Sequence, residues 1–145
     1  MTWEEINEMW SKDKSIDLTD LVRATADIPE LHNKYYVLYM RQHLRTLKMK
    51  ADLVALEAKK FEYYNGTMSD EDLKALGWKP NPLKIMKSEI SRYIESDKDI
   101  QTLSLRIGLA NATEEYLKEI LKNINNRNFL IKNIIEQNKF AAGGY

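Results

Sequence analysis

From Leu31 to Tyr64 the chain runs thirty-four residues without a proline or a glycine. A stretch of that length reads as one long helix of about 50 Å. Its side chains are sorted by type. At about 100° per residue, Lys34, Arg41, Arg45, Lys48 and Lys59 fall within roughly 60° of one another, and Tyr63 joins them. Leu44, Leu47, Ala51, Val54, Ala58 and Phe61 fall on another side. A chain built around such a helix is all-α, with this element as one arm of a hairpin or small bundle.

The basic stripe stands out because the whole chain has formal charge +0 and a pI near 6.8. Residues 1–30 carry three basic and eight acidic side chains, whereas residues 31–65 carry seven and three. A neutral chain does not coat DNA by bulk charge. It presents one basic face behind an acidic N-terminal arm. Three regions follow: 1–30 acidic arm, 31–99 basic helix and linker helices, 100–145 C-terminal oligomerisation helix and tail.

Punctuation marks the remaining helices. Trp3, Ile6 and Trp10 recur at helical spacing, so Glu4 to Trp10 forms a short amphipathic helix. Asp17 or Thr19 is expected to cap a second helix through Ala26. Pro29 suits the first turn of the long helix, and Asn65-Gly66 ends it. Ser69 with Asp72 three residues on opens a helix that reaches Leu76, closed by Gly77. Lys79-Pro80-Asn81-Pro82 is a break, and the next helix is expected from Pro82 to about Glu95. Ser96 to Asp99 interrupts it or caps a new start.

From Ile100 to Phe140 only Gly108 breaks a helical composition, so one helix is expected. Leu103, Ile107, Ala110, Glu114, Leu117, Leu121, Ile124, Asn128, Ile131, Ile135 and Asn138 step by four and three. Eight of these eleven are apolar. Leu109, Tyr116, Ile120, Leu130 and Ile134 widen the face, which suits a bundle or ring better than a two-stranded coil. Asn128 is placed to set register between neighbours. The seam serves packing inside one chain, packing between copies, or both. Leu117, Leu121, Ile124, Ile131 and Ile135 are its oligomerisation candidates. The Gly143-Gly144-Tyr145 tail is loose.

Chemistry is sparse. There are no cysteines, no glycine-rich phosphate loop and no metal-ligand spacing. His32 and His43 are too far apart to share a metal. No enzymatic activity, cofactor or metal is expected. No apolar run approaches about 20 residues, so no membrane span is expected. Glu4, Glu5 and Glu8 are the wrong charge for a secretory signal. A line of Lys and Arg matches a line of phosphates, and Tyr35, Tyr36, Tyr39, Tyr63 and Tyr64 are placed to stack on unpaired bases. The same stripe also suits an acidic protein surface, or is a solvated face. A structural helical oligomer or interaction scaffold without DNA binding is the alternative function.

Three segments carry a resemblance. Ala55-Leu56-Glu57-Ala58-Lys59-Lys60-Phe61-Glu62-Tyr63-Tyr64-Asn65-Gly66 resembles the basic-then-Tyr-Tyr segment of the UvsY recombination mediators of T4-like phages. Glu95-Ser96-Asp97-Lys98-Asp99-Ile100 resembles their acidic-flanked lysine junction. Asn126 to Ile135 is similar to their C-terminal helix. The resemblance implies hexameric or heptameric rings held by C-terminal helices, and binding of single-stranded DNA with little sequence preference. It also implies loading of a RecA-like recombinase onto DNA coated by single-strand DNA-binding protein, in the cytoplasm of an infected bacterial host. The family's DNA-contacting basic residues carry over to Lys60 and more loosely Lys59. Ala58 stands where the family has a further basic residue.

Overall fold

The computed structural model describes residues 1–81 and 84–143. Its helices are α1 (Trp3–Asp13), α2 (Leu21–Ala26), α3 (Ile28–Asn65), α4 (Asp70–Leu76), α5 (Ile90–Glu95), α6 (Lys98–Asn125) and α7 (Arg127–Ala141). A short 3-10 turn, Lys87–Glu89, precedes α5. Among the described residues there is no strand, as the all-α reading required. The chain forms two compact units. One holds residues 1–44 and the chain from Asn111 onward, and the other holds Arg45–Ala110. Helices α3 and α6 each contribute to both, so these boundaries differ from those read from composition.

The first unit is built on α1, the start of α3 and the end of α6. Thr2 and Glu5 form a reciprocal capping box at α1, satisfying donors that a helix N-terminus leaves orphaned. Ile6, Tyr35, Leu117, Ile120, Leu121 and Ile124 make the buried cluster, flanked by Met9, Trp10, Leu31 and Leu38. The Trp10 ring meets Tyr35 edge-on at 5.4 Å. Helix α2 lies against α7. Its N-terminus is capped by Asp20, whose carboxylate accepts from the Arg23 N–H. Asp17 instead turns back onto Thr19. The expected cap was therefore misplaced, because an Asp two residues before a Thr has a closer donor than the helix.

The C-terminal seam is two helices, not one. The bend is at Asn126, yet Asn126 N–H still donates to Lys122 and Leu130 N–H to Asn126. Asn125, Asn126 and Asn128 are poor helix formers, so the bend falls there. Arg127, buried in the first turn of α7, donates to the Asp13 and Lys14 carbonyls that end α1. Those are orphan acceptors of a helix C-terminus. Beyond Asn126 the seam is split within the chain: Ile131 is buried, whereas Asn128 and Ile135 are exposed.

In the second unit Gly66 (φ 77°) and Gly77 (φ 70°) end α3 and α4 in the left-handed region, where a Cβ is penalised. Ser69 caps α4 through the Asp72 N–H. The helix expected from Pro82 begins later, at Lys87 as a 3-10 turn and at Ile90 as α5. Pro82 itself, like Gly144 and Tyr145 of the expected tail, lies outside the described residues. Asp97 caps α6, accepting from the Asp99 and Ile100 N–H groups.

Burial predicts a contrast along α6. Leu117→Ala, at a site with 0% exposure, is expected to cost about 2–5 kcal/mol. Leu105→Ala, at 75% exposure, is expected to change stability by less than about 0.5 kcal/mol. Urea denaturation of the two variants checks it.

Candidate nucleic-acid interface

The long helix α3 has three faces. Leu31, Tyr35, Leu38, Thr46, Met49, Leu53, Leu56 and Lys60 point inward and are buried or half-buried. Arg41, Arg45, Lys48 and Lys59 are exposed on the cationic face. Among the described residues, Arg41, Arg45 and Lys59 make no ion pair, and Lys48 reaches Asp52 only at 4.0 Å, both side chains mostly in water. Such a contact contributes little. Arg41, Arg45 and Lys59 thus have no carboxylate partner among the described residues, and Lys48 has only this weak one. Arg41 belongs to the first unit, and the other three to the second.

The remaining residues read from sequence are differently placed. Lys34 donates to Asp13 at 2.6 Å, and the Tyr35 hydroxyl donates to the same carboxylate oxygen at 2.8 Å. Burial alone pushes the Asp13 carboxyl up, but these donors and the charges of Lys34 and Arg127 outweigh it and hold Asp13 below the usual carboxylate value. Burial and the same carboxylate push the Tyr35 phenol up. Lys34 is thus tied into the first unit.

Lys60, which the family resemblance offers as a strand contact, turns inward. It is 4% exposed. Its Nζ lies 3.1 Å from Asp97 and 2.9 Å from Asp99, and 3.9 Å from the centre of the Trp78 ring. One step along a helix turns a side chain by about 100°, so Lys59 faces water while Lys60 faces inward. Tyr63 is half-buried as well. Its hydroxyl donates to the Lys79 carbonyl at 2.6 Å, and its ring meets Tyr64 and Trp78 edge-on. Tyr64 donates to Asp97 at 2.6 Å. These contacts make a closed polar cluster, in which neither Lys60 nor Tyr63 is presented to a strand.

One feature went unread in the sequence. His32, Tyr36, Tyr39 and His43 step by four, three and four along α3. His32 stacks on Tyr36 at 5.9 Å, and Tyr39 stacks on His43 at 5.8 Å, each within 15° of parallel. Lys118 lies 6.0 Å from the Tyr39 ring centre. The signal was the ring spacing; the histidines had been weighed only as metal ligands. His43 Nδ1 is 3.4 Å from Glu114 Oε1, which places that acidic residue of the seam beside a partner.

The oligomerisation candidates are largely consumed inside the chain. Leu117, Leu121 and Ile124 belong to the first unit's core, and Ile131 is buried too. Only Ile135 is exposed, alongside Phe129, Leu130 and Phe140 on α7. The outer apolar residues of α3, among them Leu44, Leu47, Val54 and Phe61, are also exposed. Among the described residues no acidic or histidine cluster is arranged for a metal, and no helix is long and apolar enough to cross a membrane.

A family model described as "Recombination, repair and ssDNA binding protein UvsY" matches residues 9–144. No curated protein matches. The fold is similar to crystal structures of the bacteriophage T4 recombination mediator protein UvsY. In its second lattice type the TM-score is 0.83 at 22% identity, covering 98% of each chain. In its first lattice type the score is 0.81 at 22% identity, covering 94% of this chain and 98% of that one.

The Asp97 cluster has a pH signature. Burial raises its carboxyl, but donation from Tyr64, the Ile100 N–H and Lys60 outweighs this and holds it below the usual value. Stability from this group is therefore complete above the unfolded value near 3.9 and is lost as pH falls through the lower folded value. Urea midpoints at pH 6 and pH 3 are expected to differ less in Asp97→Asn than in the parent. Asp97→Ala, which removes one of the two carboxylates on Lys60, the acceptor of the Tyr64 hydroxyl and the cap of α6, is expected to cost about 1–3 kcal/mol at pH 7.

Proposed function

The chain belongs to the UvsY family of recombination, repair and single-stranded-DNA-binding proteins, and from that premise we propose that it is a recombination mediator that grips single strands through the outer cations of α3. The observation that carries this reading is the set Arg41, Arg45, Lys48 and Lys59, exposed on one face of one helix. Each phosphate neutralised releases condensed counterion, which drives binding without regard to sequence. Nothing in the chain resembles a reading helix for the duplex groove. The family is one of mediators rather than of known enzymes, and the proposed role is that of a scaffold.

Four cations on one copy hold a strand weakly at physiological salt. Several copies in one assembly, a hexamer or heptamer in this proposal, raise the effective concentration of the next contact once the first is made. Such an assembly competes with a single-strand DNA-binding protein for the same phosphates and presents the strand to a RecA-like recombinase. Glu4, Glu5 and Glu8 on α1 are exposed and supply an acidic surface for a basic partner. Lys60 has a structural part in this scheme: it holds the junction between α5 and α6 by its two aspartates.

Fluorescence anisotropy of a labelled oligothymidylate tests the reading. Neutralising Arg41, Arg45, Lys48 and Lys59 together is expected to reduce the slope of log affinity against log salt by about 3 per chain, at about 0.7 per phosphate lost. Lys60→Met is expected to lower thermal stability and leave that slope unchanged. Equal binding by the parent and the fourfold variant would favour a helical scaffold that does not bind DNA. A preference for duplex would contradict the single-strand reading.

A further inference from the structure

Arg127 is 8% exposed, yet most of its guanidinium is unspent. Only Nη2 donates, to the Asp13 and Lys14 carbonyls at 3.0 and 3.1 Å. Nε and Nη1 find no acceptor among the described residues, and neither is sealed from solvent. Charge around the group is unbalanced. Asp13 is the carboxylate that acts on Arg127, but its Oδ2 already takes Lys34 at 2.6 Å and the Tyr35 hydroxyl at 2.8 Å. Lys14 makes no ion pair among the described residues. One carboxylate thus answers three cations, and a buried cation with open donors is completed by an anion. Asp17, Asp20 and Asp27 line a second hollow that Arg127 also borders. They have partners of their own in Thr19, the α2 N-terminus and Arg23.

Arg127 borders a groove of about 510 Å³ in the first unit, with Lys14 beside it and Trp10, Ile16 and Leu130 as apolar walls. No carboxylate is among its described lining residues. Two cations and an aromatic wall suit a ligand that is anionic at one end and flat at the other. We propose that the groove takes one nucleotide of a bound single strand, its phosphate on Arg127 and Lys14 and its base against Trp10. The assignment rests on the single-strand reading above and adds a second contact to it.

Position favours a strand over an acidic peptide. Lys34 and Arg127 both bond to Asp13. Arg41 lies about two turns on from Lys34, within about 20° of the same side of α3. The groove therefore continues a row of cations within the first unit, and a row matches a repeating anion better than a lone carboxylate. It also supplies what the row lacks. Duplex and single strands both offer phosphates. A base stacks on an aromatic ring only with a face free, so entry to the groove requires an unpaired base.

An oligothymidylate substituted with 5-iodouracil is bound to the full chain, irradiated, and its adducts mapped by mass spectrometry. An adduct on Trp10 is expected. The salt slope gives a second reading. Lys14→Gln, at an exposed side chain, is expected to lower it by about 0.7 per chain, and Arg23→Gln, on the second hollow, to leave it unchanged. Suppose the parent binds and the fourfold α3 variant loses slope, yet no Trp10 adduct forms and Lys14→Gln changes nothing. That result overturns the groove and leaves the α3 reading standing. Absence of binding by the parent overturns both. Acetylation of Lys14 is expected to slow when oligothymidylate is added. Protection by hexaglutamate and not by oligothymidylate would assign the groove to an acidic peptide and overturn the proposal.

Discussion

A helix of 38 residues has more surface than a chain of this size can cover, and that constraint organises the molecule. Helix α3 spends one face on its own two cores and leaves the rest to water. What remains outside is not uniform. A cationic strip and an apolar strip lie side by side along it, and each has the regularity of a binding surface. The chain builds its folded state with the inner face and leaves a cationic and an apolar face exposed.

Neighbouring lysines illustrate how finely this is divided. Lys59 and Lys60 are adjacent in sequence and chemically identical, yet one is solvated and the other is enclosed by Asp97, Asp99 and Trp78. Two carboxylates and an aromatic face stand where the enclosed ammonium would otherwise have water. In return it ties the end of α3 to the start of α6, where Asp97 also serves as the helix cap. A basic segment that looks like one unit in sequence is therefore divided by helical geometry into an exposed lysine and an inner strut.

Much of the fold was legible because helix signals are local. The long helix, the Ser69 cap, the Gly66 and Gly77 ends and the interruption near Asp97 all rest on residues within one turn of each other. What is not local was harder to read. Leu117, Leu121 and Ile124 have the spacing of an interface, and spacing alone does not say whose surface meets them; here it is Ile6 and Tyr35 of the same chain. Which stripe of α3 turns inward was not legible either: it has buried Thr46 and Lys60 among its members. Polar residues on an inward face are invisible to hydropathy, and their burial depends on distant partners such as Asp97. Beyond Asn126 the seam is only partly buried: Ile131 turns inward, whereas Asn128 and Ile135 do not.

The central claim is that the outer cations of α3 meet the strand while Lys60 stays inside. Lysine acetylation rates read by mass spectrometry, with and without a saturating oligothymidylate, test it residue by residue. The account predicts that Lys48 and Lys59 react readily in the free protein and slow on adding the strand. Lys60 should react slowly in both states. Fast acetylation of Lys60 that the strand suppresses, with Lys48 and Lys59 unaffected, would contradict it.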